Sequence, residues 1–323
     1  MPLTDCRSIP KGGLADRCEL LRRFVQAYWL RPENALWMTL RSEALARVAF
    51  GPRSADLSCG DGVFMFLHLG GHLAEDFDVF SGVADLNRVH QDHADMFDHF
   101  DDSFAPTILT APATTLAVGT DLKPTLLAKA RRLGVYDRLV HCDNNDPLPF
   151  EDASLDTIYC NSAYWVRRID AFLREMARVV AEDGTVVLHV KLDSIRRFTL
   201  ERYRDVLGAR FLDIIGRGRF DTWPSLMSQS QWEDGFHRAG LDIVKRTPFV
   251  FGTHAHIWDI GLRPLAPLLV RMVRSLDPAT RAGVKHDWVD LTCELLEPLR
   301  AASLNPDAGP PVPVEVQYEL KPA

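Results

Sequence analysis

The chain lacks any run of about 20 apolar residues, the length a helix needs to cross a bilayer. Its most apolar stretch, residues 257–276, is interrupted by Asp259, Arg263, Pro264, Pro267, Arg271 and Arg274, so no transmembrane segment is expected. Cysteine is scarce, with six in 323 residues and none at paired spacing, which excludes a disulfide-stapled scaffold and suits a reduced, cytoplasmic protein. The opening Met1-Pro2-Leu3-Thr4-Asp5-Cys6-Arg7 has neither the charged start nor the apolar stretch of a secretory signal. Long basic runs are missing too. With 37 Lys and Arg against 44 Asp and Glu the net charge is −7, and Arg196, Arg197, Arg217 and Arg219 are scattered, so no nucleic-acid partner is expected. No internal repeat is found. The remainder is ordinary globular material, 46% hydrophobic and 25% charged, long enough for one α/β domain with a substantial addition.

Residues 55–62 read Ala-Asp-Leu-Ser-Cys-Gly-Asp-Gly, an apolar approach carrying one acid and then two glycines one residue apart. Gly60 and Gly62 can take positive φ and admit a ligand close to the backbone, while Val63, Phe64, Phe66 and Leu67 begin the apolar face of a helix with unpaired N–H groups at its start. A second strand ends at Val118-Gly119-Thr120-Asp121, where an acid can hold two adjacent ribose hydroxyls, and Pro124 opens a helix closed by Gly134. A third strand, Arg138–Cys142, ends on Asp143, and the run Leu148-Pro149-Phe150 precedes a strand Thr157–Asn161. Ile169, Phe172, Leu173, Met176, Val179 and Val180 then recur at helical spacing up to a stop at Glu182-Asp183-Gly184, before the buried-type strand Thr185–Val190.

In this order the residues resemble the class I S-adenosylmethionine-dependent methyltransferases, in the broad group that acts on small molecules. The resemblance spans roughly residues 53–192 and more loosely reaches 250. It implies an α/β, Rossmann-like fold, with a seven-stranded, mostly parallel sheet, helices on both faces and helical additions at both ends. It implies S-adenosylmethionine as cofactor, with Asp56, Ser58, Gly60 and Gly62 lining its methionine end, Asp121 on the ribose, Asp143 facing the adenine amino group and Asn161 beside the sulfonium. Ser58 stands where the family usually has its first glycine, Asp183-Gly184 where Gly-Gly is usual, and the Gly62-to-Asp121 distance is longer than the family norm. A dinucleotide-binding dehydrogenase fits less well, because Met65 occupies the third glycine position of that fingerprint.

Four zones follow: an N-terminal helical cap over 1–50, the cofactor-binding domain over 51–250 with an acidic insertion at 70–115, a C-terminal helical extension over 251–304, and a proline-rich tail, extended or disordered, over 305–323. Residues 228–250 read as the final helix and hairpin of the sheet. Between Gly70 and Ala105 the insertion carries nine acids against one base, with His72, His90, His93 and His99 interleaved. It reads as a structured cap, with a plain solvated segment or a metal site from His90, His93, Asp95 and His99 as alternatives; no metal is expected.

Methyl transfer from a sulfonium requires alignment of the acceptor and, for a hydroxyl, removal of a proton. Tyr164 and Trp165, on the loop after Asn161, are candidates for the acceptor pocket. His254 and His256 alternate with Ala255 and are the candidate bases, pointing the same way if extended; His68, His72 and His93 are weaker ones, and His189 in its apolar strand reads as a core residue. Residues 161–164, Asn-Ser-Ala-Tyr, lack the Pro-Pro-aromatic run that holds a nucleic-acid base. The expected function is methyl transfer to an oxygen or nitrogen of a small molecule, a sugar, lipid-linked or natural-product acceptor; a non-catalytic binding or scaffolding subunit of the same fold is the alternative. Oligomeric state is not legible.

Overall fold

The computed structural model describes residues 14–80, 97, 98, 100, 104–216, 225–302 and 311–323. A seven-stranded sheet runs in the order β5-β4-β1-β6-β7-β9-β8, formed by β1 (Ser54–Leu57), β4 (Leu116–Asp121), β5 (Tyr136–His141), β6 (Leu155–Cys160), β7 (Val180–Lys191), β8 (Leu241–Phe251) and β9 (Pro313–Pro322). β5, β4, β1, β6 and β7 are mutually parallel, while β9 runs antiparallel to both β7 and β8. This is the expected class I methyltransferase architecture. β1 is buried throughout, as a strand covered on both faces must be.

The chain leaves β1 for β4 on one side and returns to β6 on the other, so a crevice opens at the carboxyl ends of these strands. Leu57 sits level with Thr120 of β4 and Cys160 of β6. Helices α1 (Leu14–Ala27) and α2 (Pro32–Leu45) form the predicted leader, and α3 (Val63–His68) follows the glycine loop. Phe24 of α1 stacks on Phe64 of α3 at 6.0 Å, and Phe64 stacks on Tyr159 of β6 at the same distance, which seats the leader on the sheet. The insertion is pinched by a small antiparallel pair, β2 (His72–Leu73) with β3 (Ile108–Thr110). α4 (Pro124–Leu133) and α5 (Ile169–Val179) are the crossover helices. The second ends three residues before the predicted stop, because the backbone turns extended at Val180 (ψ 138°) and β7 already includes Glu182-Asp183-Gly184.

α6 (Gln229–Arg238) starts on a capping box between Ser228 and Gln231 and ends before Gly240, as read. Its hairpin partner is another matter. Residues 313–322 are no tail: they form β9, inserted between β7 and β8, with Val314, Val316, Tyr318 and Leu320 all fully buried. Residues 303–310, the start of the proposed tail, lie outside the described residues. The C-terminal extension comprises α7 (Gly252–His256), a π-helical stretch Ile257–Leu262, α8 (Ala266–Arg274) and α9 (Pro278–Ala302). α9 straps the start of the insertion: Lys285 Nζ donates to the carbonyls of Glu75 and Phe77, both at 2.5 Å, and Arg281 pairs with Asp78 at 2.5 Å. No described helix is long and apolar enough to cross a membrane.

Candidate functional site

The loop after β1 is shaped by its backbone. Ser58, Gly60 and Gly62 all adopt left-handed φ, at 61°, 61° and 77°. For Ser58 this costs about 1–2 kcal/mol, since its Cβ crowds the following carbonyl. Its hydroxyl is fixed in return, accepting from Asn144 Nδ2 at 2.9 Å. At Gly60 no described residue lies within 4 Å of where a Cβ would stand, so among the described residues the loop leaves its backbone uncovered there. Asp121, at the end of β4, accepts from the Gly60 N–H at 3.0 Å and the Lys123 N–H at 2.8 Å, tying the second strand end to the loop of the first. Burial raises its carboxyl above the ordinary value, against the lowering by those two N–H groups.

Asp56 stands within β1, next to its last residue. It is 2% exposed, lies beneath the loop, and its Oδ2 accepts from the Tyr136 hydroxyl at 2.6 Å. The Tyr136 ring crosses Gly119, where a Cβ would come within 2.9 Å of it, so glycine is required there for the phenol to reach Asp56. Burial drives the Asp56 carboxyl up to about 7 despite that hydrogen bond, with Asp121 adding to the rise. Its other oxygen, Oδ1, is buried without a hydrogen-bond partner among the described residues.

Asp143 stands in the loop after β5 and accepts from the Asn145 N–H at 2.8 Å and side-chain amide at 2.9 Å, which hold its carboxyl below the usual range. Its neighbour Asn144, which sequence reading missed, is 7% exposed, and its Oδ1 is buried with no partner among the described residues. Asn161 and Ser162 are half-buried at the exit of β6. Asn145 Oδ1 accepts from the Arg167 N–H at 2.8 Å, joining the loops after β5 and β6. Two described residues of the insertion meet the helix after β4, with Asp98 paired to Lys123 at 2.7 Å and the Phe97 carbonyl accepting from Lys129 at 2.6 Å.

The proposed acceptor residues divide. Tyr164 is 7% exposed and turned inward, whereas Trp165 is 53% exposed. His254 and His256 do not share a face: they lie on the helix α7, where residues two apart point about 200° apart, not on an extended segment. His254 is 1% exposed, accepts from the Phe251 N–H at 3.1 Å and is depressed to about 4 by burial, while His256 is exposed. Both follow the edge strand β8, three strands from β6. The two histidines therefore do not point the same way. His189 is the core residue expected, fully buried between the Tyr159 hydroxyl at 3.1 Å and Gln317 Oε1 at 2.8 Å. His68 of α3 bonds Ser42 of α2 at 2.8 Å.

Tyr164 faces a cluster that sequence reading did not assemble. Lys191 Nζ, at the end of β7, lies 4.4 Å from the Tyr164 ring centroid, 5.3 Å from Trp37 and 5.7 Å from Trp258. Behind it Glu315 of β9 pairs with Arg41 at 2.7 Å and accepts from Trp37 Nε1 at 2.5 Å. Burial alone would raise the Tyr164 phenol, but Lys191 and Arg41 outweigh it and bring it below its ordinary value. No group of three or more His, Cys, Asp or Glu able to hold a metal occurs among the described residues; His90, His93, Asp95 and His99 lie outside them.

A family model described as "Methyltransferase domain" matches residues 105–188, from the close of the insertion through β7. No curated protein matches the chain. Among solved structures, the [4+2]-cyclase SpnF is 15% identical, with 88% of this chain and 81% of that one covered at a TM-score of 0.45. An S-adenosylmethionine-dependent methyltransferase from Mesorhizobium loti is 16% identical over 88% and 96%, at 0.43. One from Geobacter sulfurreducens, in complex with S-adenosyl-L-homocysteine, is 15% identical over 94% and 98%, at 0.42. Strand order and the matched segment, and not these distant likenesses, identify the architecture. Residues 105–188 match a methyltransferase-domain model, and the chain has the fold of the class I S-adenosylmethionine-dependent methyltransferases.

Proposed function

We propose that this protein transfers a methyl group from S-adenosylmethionine to an oxygen or nitrogen of a small molecule, with sugars, lipid-linked compounds and natural products as the acceptor classes. The observation that carries the reading is the junction of Asp121 with the Gly60 N–H, which sets an acid beside open backbone at the crevice where such sheets bind ligands. The residues suit the donor: Asp121 for two ribose hydroxyls, the unpartnered Asn144 Oδ1 and Asp143 for the adenine side, and Asn161 toward the sulfonium. When bound, the donor supplies an activated methyl. What remains for this chain is to hold the acceptor in line, exclude water and take up or tolerate a proton.

Calorimetry with S-adenosylhomocysteine tests the donor site: binding by the wild type and clear weakening in Asp121→Ala are expected, and no binding would sink the assignment. A second reading, a subunit that keeps the fold without turnover, draws on Ser58 at a glycine position. Incubation with labelled donor and cell extracts separates the two, since donor binding without any labelled product would favour the second.

A further inference from the structure

The cluster around Lys191 has one positive charge too many. Glu315 is the register partner of Lys191 across β7 and β9, yet it spends both oxygens elsewhere, Oε1 on Arg41 and Oε2 on Trp37. Among the described residues Lys191 makes no ion pair, and its half-buried ammonium is held only by Tyr164 and the faces of Trp37 and Trp258. Rings stabilise a cation through their quadrupoles but leave its charge unneutralised. This excess sits in a chain of net charge −7, at the carboxyl end of β7, the strand next to β6. Tyr164 lies three residues past Asn161 on the loop leaving β6, whose last residue Cys160 is level with Leu57.

We infer that Lys191, with the rings of Trp37, Tyr164 and Trp258, is the acceptor subsite, and that it takes an aromatic acid or phenol whose ionised oxygen meets the Lys191 ammonium. This rests on the methyltransferase reading and narrows it to oxygen. A cationic amine would add a third positive charge beside Lys191 and Arg41, whereas an oxyanion completes the balance. The acceptor oxygen would form its bond to the methyl carbon as the methyl–sulfur bond breaks, with that electron pair returning to sulfur. An acceptor bound already ionised surrenders no proton in the step, and opposite charges on oxygen and sulfonium are neutralised together.

Two probes of similar shape decide it. Benzoate and benzylammonium are titrated into the wild type by calorimetry, with and without S-adenosylhomocysteine. Benzoate should bind and benzylammonium should not; Lys191→Met should weaken benzoate about tenfold or more, and Lys191→Arg should largely restore it. Thermal unfolding of each variant reports whether it is folded, and the comparison of the two probes on the wild type needs no variant. Tighter binding of benzylammonium, benzoate affinity indifferent to Lys191→Met in a folded protein, or binding of neither probe would overturn the inference. Failure to bind S-adenosylhomocysteine while benzoate still binds through Lys191 would instead fell the methyltransferase reading and leave an acid-binding site.

Discussion

The two halves of the sheet's carboxyl edge are made from different materials. Under β4, β1 and β6 the site is backbone: left-handed residues, two N–H groups on Asp121, and the Cys59 N–H on the Thr120 carbonyl at 2.7 Å. Under β7 and β9 it is side chains, with Trp37, Arg41, Tyr164, Lys191, Trp258 and Glu315 drawn from five separate segments. A backbone site depends on conformation and tolerates change in most neighbours. A side-chain site buries charge, so each member holds up the others and a single deletion strands its partner.

The largest expected effect strikes the side-chain half through its scaffold. Deleting residues 311–323 removes β9, leaving β7 and β8 unpaired along their inner edges, and should abolish cooperative unfolding by circular dichroism. Retention of a sharp transition would show that β9 is dispensable. Glu315→Ala comes next, at about 3–5 kcal/mol in denaturant unfolding, because Arg41 would stay buried without its counter-charge. A loss below about 1 kcal/mol would erase the contrast between the halves.

In the backbone half the principal change should be in ligand affinity. Asp121→Ala should cost about 1.5–3 kcal/mol of S-adenosylhomocysteine binding, the range for lost charged hydrogen bonds. Equal affinity in both proteins would remove Asp121 from the ribose role. The pH response sharpens the picture. Asp56, raised to about 7, binds more protons folded than unfolded, so its contribution declines as pH climbs from about 4 to 7. His68 and His254 near 4 and His189 near 3 act oppositely, contributing fully above about 6.5 and losing their contribution as pH falls toward those values. Asp56→Asn should therefore gain stability relative to wild type on going from pH 4 to pH 7; parallel curves would contradict the buried, protonated state. The smallest effect is at Ser58. Ser58→Ala should lose about 1 kcal/mol with the Asn144 hydrogen bond while keeping the left-handed strain, and Ser58→Gly should lose less because the strain is relieved.

The sequence by itself determined the glycine loop and the strand end beside it. Residues 56–62 and 118–124 are contiguous, and a left-handed loop, a strand-end acid and a proline-started helix each declare themselves through neighbours a few positions away. The alternation of Val314, Val316, Tyr318 and Leu320 with Glu315, Gln317 and Glu319 was a legible strand signal as well, obscured by the prolines before it. What that alternation could not reveal is that Glu315 and Gln317 are buried too, because β9 is an inner strand covered on both faces. Only the tertiary structure decided the rest. It put α7 where an extended segment was expected and so parted His254 from His256. It turned Asp56 down onto Tyr136 across Gly119. It brought positions 37, 41, 164, 191, 258 and 315 to one place. Pairings at such separations arise from packing of whole elements, whereas local sequence acts only through short-range sterics and hydrogen bonds.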